Sequence, residues 1–413
     1  MILEQSSEAS RQDALDPKRA MPSKHIISSL GSMTNGFLFS VTPIIIRILK
    51  ELCSNFDEAA TSFIASGWLY GSIIGILLFG FIGDVLGYYK GMIMATTLTF
   101  VGMISGVFSL WASSSWIPFL FGVSRIILGI GCGGSIPIAY TRTSDSNTQE
   151  VSSTGSILLL LQSSSWLLGP VLFNLCLKAF PNALQSVLQG ILLVASLPSL
   201  ISLILLCYSY QRVVYLPLVD VEEAATESKA EPTLPVWRAF IATGVTWFLY
   251  DFNSYGNTFS SKEIVRSMLP IPDSPAGVTI PLILAGLFGV PGQLVVHSLF
   301  RHFDVRSVQR IGFGILSFLF MLVTMGLRHH FPSYVIFLLY HLTFFFSTCG
   351  PGSTTYILPS LLFDEHQLSL FHGICTCMGK FGGALGASLF PQLVSRFGAS
   401  PTMLLCCALS FIA

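Results

Sequence analysis

Residues 80–90 read GFIGDVLGYYK and lie between two long apolar runs, 61–82 and 91–112. Three glycines allow a tight turn and a close approach of neighbouring helices, and Asp84 can cap the next helix or pair with a cation. A short glycine-rich turn between two runs of about 20 apolar residues is typical of two membrane-spanning helices joined on one side of a bilayer. The stretch is compatible with a cytoplasmic gate, and a simple capped turn without a gating role is the alternative.

The composition of the whole chain agrees with this interpretation. Of 413 residues, 52% are hydrophobic and only 10% are charged, with a mean hydropathy of +0.71. An ordinary soluble domain carries roughly 25% charged residues. The net charge is zero, so no excess of basic or acidic residues points to a polyelectrolyte partner, and we expect no binding of nucleic acid. These values predict a multi-pass protein embedded in a lipid bilayer.

Outward from residues 80–90, apolar runs continue towards both ends of the chain. There are twelve, at 26–48, 61–82, 91–112, 117–140, 154–176, 184–208, 237–259, 277–300, 311–328, 333–358, 370–394 and 401–413. The last is too short to span, so we expect the twelfth helix to be incomplete and the chain to be truncated at Ala413. The predicted fold class is an all-α membrane protein.

Two polar stretches divide the chain into parts. Residues 1–25 lack the apolar core of a signal peptide and are predicted to be a cytoplasmic tail. Residues 209–236 carry three prolines and an acidic cluster, which indicates a flexible cytoplasmic linker. The linker separates six runs in 26–208 from six in 237–413. Two pseudo-symmetric halves that hold a substrate between them are the architecture of many secondary transporters.

The distribution of positive charge predicts the orientation. With a cytoplasmic N-terminus, twelve of the 21 Lys and Arg fall in connections on that side and seven on the other. No retention signal is visible, so the plasma membrane is the expected location.

The seventh and eleventh runs contain the residues best suited to bind an anion. Trp247, Asp251 and Tyr255 are spaced i, i+4, i+8 and so share one helix face. Lys380 lies eight residues from His372, about 12 Å along a helix, which is too deep for easy contact with water. An intramembrane ammonium needs an anion, either Asp251 or a ligand. A purely structural pairing of Asp251 with a cation remains open.

Three other runs carry polar or helix-breaking residues. Arg125 precedes a ladder of glycines in the fourth run, and such a residue normally faces a cavity or a partner. Gln162 in the fifth run could donate to a ligand or bond only to a neighbouring helix. Pro351 interrupts the tenth run and is followed by Gly352 and three hydroxyl residues, which fits a cavity lining or a kinked packing helix.

In order and spacing these segments resemble the phosphate:proton symporters of the major facilitator superfamily. The resemblance implies that phosphate is bound by Lys380 and Gln162. Trp247, Tyr255 and Ser135 are further predicted to bind it, because their side chains can supply hydrogen bonds to an anion. The resemblance implies that Asp251 couples transport to protons. It also implies gating or structural roles for Asp84, Gly83, Gly87, Lys90, Arg125 and Asp145.

The sequence departs from that family at several functional positions. Asn35, Leu38 and Ser135 stand where the family typically has aspartates, and Gly352 stands where it usually has asparagine. With fewer acids we expect fewer protons to be coupled in each cycle.

The predicted function is secondary transport of inorganic phosphate, coupled to protons by alternating access. Transport of another small anion or solute without proton coupling, or a nutrient-sensing receptor, are the alternatives. No enzyme activity, cofactor or metal is expected, because the sequence offers no nucleophile–base set and no metal-ligand spacing. The two-half design needs no partner, so the protein is expected to work as a monomer.

Overall fold

The computed structural model describes residues 24–54, 56–140, 148–215, 235–363 and 365–413, and within these ranges it contains helices and no strand. The first half of the chain forms α1 (Lys24–Leu52), α2 (Glu58–Ser109), α3 (Ile117–Tyr140), α4 (Thr148–Ala179) and α5 (Leu184–Tyr215). The second half forms α6 (Val236–Phe240), a π-helical turn (Ile241–Val245), α7 (Thr246–Phe259), α8 (Ser261–Arg266), α9 (Pro275–Leu299), α10 (Val305–Arg328), α11 (Ser333–Cys349), α12 (Pro351–Leu362), α13 (Glu365–Phe397) and α14 (Ala399–Ile412).

The predicted all-α membrane fold is confirmed. Among the described residues, nine helical stretches are long and apolar enough to cross a bilayer, and they correspond to predicted runs one to six and eight to ten. Run seven is divided by the π-helical turn, and run eleven, α13, is rich in glycine and polar residues. Run twelve, α14, has only 14 residues, as short as predicted.

The stretch at residues 80–90 forms a tighter connection than predicted. α2 is helical through it except at Gly87, whose φ of 75° and ψ of 172° kink the chain between the spans Glu58–Gly80 and Val85–Ser109. A positive φ is accessible to glycine at little cost, which explains the residue type. Two predicted gating residues in the stretch, Gly83 and Asp84, lie in the helical backbone of α2, and the Asp84 side chain is outside the described part of the structure.

Of two predicted helix boundaries, the one at Pro351 is confirmed and the one at residue 208 lies too early in the chain. Pro351 separates α11 from α12 as predicted, with Gly350 outside helical geometry between them. By contrast, α5 continues to Tyr215, beyond the predicted boundary at 208. The rest of the predicted linker, residues 216–234, lies outside the described residues.

Apolar packing differs between the two ends of the bundle. We call the end where α1 begins the tail side and the end where α1 finishes the far side. A far-side core cluster joins Ile44 and Ile48 of α1 with Val278 and Leu282 of α9, so it unites both halves. Tail-side clusters stay within one half each, one around Phe79 and another formed entirely by second-half residues. The halves are therefore packed together on the far side.

Polar contacts add to this far-side closure. Asn174 of α4 donates its amide to the Thr279 hydroxyl over 2.5 Å. Arg47 of α1 donates to the Asp273 carbonyl over 3.3 Å, and Lys262 donates to the Asp273 carboxylate over 2.5 Å. The Lys262 ammonium and, to a lesser extent, Arg47 hold the pKa of Asp273 below its usual range. The loop before α9 is thus tied to both halves.

Candidate functional site

A central cavity of about 100 Å³ lies between the halves and is lined by residues of both. On α1 its lining extends from Ile27 to Phe39, the tail-side part of that helix. It has room for several water molecules or a small anion. All five residues predicted to bind phosphate, together with Asp251, line this one cavity: Lys380, Trp247, Tyr255, Gln162 and Ser135.

One wall of the central cavity is a face of α7. Trp247, Asp251 and Tyr255 all line it, as their spacing predicts, and their exposed fractions are only 4%, 5% and 6%. The Trp247 indole also interacts with the Asp251 carboxyl group one turn further on. An indole donor, a carboxyl group and a phenol are therefore held in a row by a single helix.

Helix α13 packs against this wall through glycines. A Cβ atom at Gly379 would overlap the Trp247 ring, and one at Gly382 would overlap the backbone carbonyl of Phe248. Residues larger than glycine would hold the helices apart. This close approach puts Lys380 beside Tyr255, and the ammonium donates to the phenol oxygen over 3.3 Å.

The Lys380 ammonium is surrounded mainly by aromatic rings. Its Nζ lies 5.8 Å from the ring centroid of Trp68 and 5.7 Å from that of Tyr255, within the range of cation–π attraction. Among the described residues no carboxylate oxygen lies within 4.0 Å of Nζ, although the charges of Lys380 and Asp251 interact across the cavity. An ammonium has three N–H donors, so it keeps donors for an anion.

The opposite wall comes from the first half. Gln162 of α4 lines the cavity where α1 approaches closely, since a Cβ atom at Gly36 would overlap the Gln162 carbonyl. Ser135 lines it too, but its hydroxyl donates to the Cys132 carbonyl over 2.8 Å. Ser135 can thus accept a hydrogen bond more readily than it can donate one. Asn35 adds a neutral amide.

Residues predicted to gate transport are not brought together at the cavity. Arg125 is 2% exposed, and its guanidinium lies 5.9 Å from the ring centroid of Phe121. It donates to the Thr42 hydroxyl, which joins α3 to α1, and it does not line the central cavity. Lys90 is exposed, close to the kink at Gly87. Asp145 lies outside the described residues.

Several aromatic lining residues were missed by the sequence analysis. The Phe39 ring contacts Tyr255 with centroids 4.6 Å apart and Trp166 at 4.8 Å, and Trp68 faces Lys380. Aromatic residues inside apolar runs do not contrast with their neighbours, so periodicity alone cannot single them out. Tyr250 also lines the cavity, and its hydroxyl fills the space a side chain at Gly352 would need.

Comparison with protein families identifies the group to which this architecture belongs. The profile of the Major Facilitator Superfamily matches residues 26–387 of the chain. The chain belongs to the Major Facilitator Superfamily. This facilitator is therefore a multi-pass membrane transporter. The predicted resemblance to this superfamily and the prediction of a transporter rather than an enzyme are both confirmed.

Curated relatives of this facilitator include phosphate transporters. The inorganic phosphate transporter PT2 of Toxoplasma gondii is 24% identical over 92% of this chain and 68% of its own length. The probable inorganic phosphate transporter 1-6 of Arabidopsis thaliana is 23% identical over 92% and 87%. The MFS-type transporter lnaF of Aspergillus flavus is 24% identical over 97% and 83%.

Solved structures similar to this facilitator share its fold. The proton:xylose symporter XylE has a TM-score of 0.73 at 15% identity, over 94% of this chain and 93% of that one. The human organic anion transporter MFSD10 has a TM-score of 0.70 at 16% identity, over 95% and 99%. At these identities the likeness establishes the twelve-helix facilitator fold and not the cargo.

Proposed function

We propose that this facilitator transports inorganic phosphate across a membrane, coupled to protons by alternating access. The observation that carries the proposal is the Lys380 ammonium at the central cavity, with no carboxylate within 4.0 Å among the described residues. A buried cation in a membrane protein requires an anion, and a mobile anionic cargo meets this requirement.

Neutral donors around the same cavity support phosphate as the anion. Trp247, Tyr255 and Gln162 contribute an indole N–H, a phenol O–H and an amide. Hydrogen bonds to an ionised oxygen are roughly twice as strong as bonds between neutral groups, so a tetrahedral oxyanion gains from each of them. The phosphate transporters among the relatives support the same cargo.

Asp251 is the proposed proton carrier. It is the sole carboxyl group among the described residues that line the cavity, and it interacts with the charge of Lys380. When Asp251 takes up a proton, its attraction for Lys380 falls and the ammonium is freed for phosphate. Because Asn35, Leu38 and Ser135 are not acids, the number of protons moved in each cycle is expected to be small.

Packing of the two halves on the far side supports an alternating-access cycle, and we infer that the described conformation is closed on the far side. We infer that the tail side is cytoplasmic and that residues 1–25 and 209–236 lie on that side. We further propose that residues 26–208 and 237–413 form the two six-helix halves. The protein is proposed to lie in the plasma membrane and to act as a monomer.

Uptake of radiolabelled phosphate into proteoliposomes tests the proposal. Uptake should require an inward proton gradient, and Lys380→Ala should abolish it. Lys178→Ala, which removes an exposed lysine at the far-side end of α4, should leave uptake unchanged. Absence of phosphate transport and binding by the wild type would overturn phosphate as the cargo.

A second candidate is transport of another small anion or solute without proton coupling. The neutral residues Asn35 and Ser135 in the cavity lining favour this candidate. Among the described lining residues only Asp251 is acidic, so few side chains there could carry a proton. Phosphate uptake independent of the proton gradient would favour it. Saturable phosphate binding without any flux would instead favour a receptor.

A further inference from the structure

A second, smaller cavity of about 30 Å³ lies inside the second half, and we call it the side cavity. It is bounded by α7, α10, α11 and α14, and its lining includes Asn253, Asn257, Ser347 and Ser410. Among the described lining residues none carries a charged side chain. A volume of this size has room for one or two small ligands such as water molecules or a bare ion.

Two buried asparagines define the chemistry of the side cavity. The side-chain amide nitrogen of Asn253 donates to the backbone carbonyl of Cys406 over 3.2 Å, and that of Asn257 donates to the backbone carbonyl of Asn253 over 2.9 Å. A carbonyl only accepts, so these bonds determine which end of each amide is nitrogen. Both Oδ1 atoms are thereby turned away from those carbonyls.

Neither Oδ1 atom has a hydrogen-bond donor among the described residues. The exposed fractions of Asn253 and Asn257 are 6% and 4%, so bulk water does not reach them. Leaving a buried acceptor unsatisfied costs about 1–3 kcal/mol, and here two such acceptors belong to residues one helical turn apart that both line the side cavity. Because both atoms are acceptors, their chemistry fits a hydrogen-bond donor or a cation.

We propose that the side cavity binds a monovalent cation through Oδ1 of Asn253, Oδ1 of Asn257 and neighbouring hydroxyl oxygens. Hard cations take oxygen ligands, and neutral oxygens suffice for Na⁺ where helices line a cavity in transporters. A divalent ion is disfavoured, since it requires carboxylates that the described lining does not contain. The site is separate from the phosphate site and does not depend on phosphate being the cargo.

Tyr250 connects the two cavities. It lines both, as does Ser254, and its hydroxyl bonds to the Ser347 hydroxyl over 2.8 Å. Tyr250 directly precedes Asp251 on α7. A cation in the side cavity therefore lies one side chain away from the central cavity and adds positive charge near its anion site.

Sodium binding to the purified full chain in phosphate-free buffer tests the proposal. The melting temperature should rise saturably when choline chloride is replaced by NaCl at constant ionic strength, and ²²Na⁺ should bind in parallel. Because phosphate is absent, this result is independent of whether the protein transports phosphate. An identical melting temperature in choline and sodium, without ²²Na⁺ binding, overturns the proposal and means that the side cavity holds water rather than a cation.

Variants connect the binding to the two asparagines. Asn253→Leu and Asn257→Leu should abolish the sodium-dependent shift. Gln309→Leu is the matched control, since Gln309 also has a buried oxygen without a donor among the described residues but lines neither cavity, and it should retain the shift. Loss of the shift in all three variants contradicts the assignment.

A gain of affinity provides a second criterion if the leucine variants fold poorly. Asn257→Asp adds a negative charge to the same position and should tighten sodium binding roughly tenfold, equivalent to ~1.4 kcal/mol. Unchanged or weaker sodium affinity in a folded Asn257→Asp protein overturns the proposal.

Discussion

The Lys380 ammonium donates to the Tyr255 hydroxyl over 3.3 Å, and this bond joins α13 to α7 at the central cavity. The two residues are 125 positions apart in the chain. Their contact places a cation next to a phenol in the lining of the central cavity. We therefore propose that Tyr255 both orients Lys380 and contributes to the anion site.

Tyr255→Phe removes this acceptor and one donor to the anion. Hydrogen bonds to charged groups contribute about 1.5–3 kcal/mol, which corresponds to roughly ten- to hundredfold in affinity. We expect the KM for phosphate uptake to rise about tenfold or more while protein yield stays constant.

The control for that variant is Tyr340→Phe. Tyr340 is fully buried in the second-half core, its hydroxyl has no partner among the described residues, and it does not line the central cavity. Equal KM values for Tyr255→Phe and the wild type would mean that the phenol does not contribute to the anion site.

Asp251→Asn separates proton coupling from phosphate movement. The amide keeps the size of the side chain but does not exchange a proton, so the proton gradient should no longer drive phosphate accumulation. Exchange of labelled for unlabelled phosphate across the membrane should persist, because it needs no net proton transfer. Concentrative, pH-driven uptake by Asp251→Asn would remove Asp251 from the coupling mechanism.

Gly382→Ala tests the close packing of α13 on α7. The added Cβ atom would overlap the Phe248 carbonyl, and overpacking typically costs about 1–3 kcal/mol. The melting temperature in detergent should fall. Gly314→Ala on α10 is the matched control, since nothing lies within 4 Å of the added atom and alanine favours a helix by about 0.8–1 kcal/mol. A similar decrease for both variants would contradict a specific contact.

Asp273→Asn weakens the far-side closure. The Asp273 pKa is lowered chiefly by Lys262, so the carboxylate and its contacts persist above its ordinary pKa and are lost only as the pH falls through the lowered value. We expect faster amide hydrogen exchange in the variant near Arg47 and at the start of α9.

Wild-type protection at the same segments should still be present at about pH 3.9, the ordinary pKa of aspartate, and should be lost only below that pH, once intrinsic exchange rates are corrected. Asp304→Asn changes an exposed acid that caps α10 within the second half, and should leave far-side exchange unaltered. Unchanged exchange in Asp273→Asn would mean that apolar packing alone closes the far side.

Local sequence patterns were sufficient to predict the helices and one wall of the central cavity, the face of α7. The apolar runs, the interruption at Pro351 and the common face of Trp247, Asp251 and Tyr255 all follow from composition and helical periodicity. A bilayer requires backbone groups to be satisfied within a helix, so length and hydropathy of a run are strong evidence of a span. The depth of Lys380 in its run likewise predicted a cation in need of an anion.

Tertiary structure alone decided which faces of distant helices meet. Arg125 has the same intramembrane signature as Lys380, yet it bonds to Thr42 and leaves the cavity to Lys380. Trp68 faces the ammonium although nothing in its run distinguishes it. The far-side closure and the side cavity depend on the rotation and pairing of helices far apart in the chain. Sequence periodicity defines the faces of each helix, but the partner of each face is chosen by packing of the whole bundle.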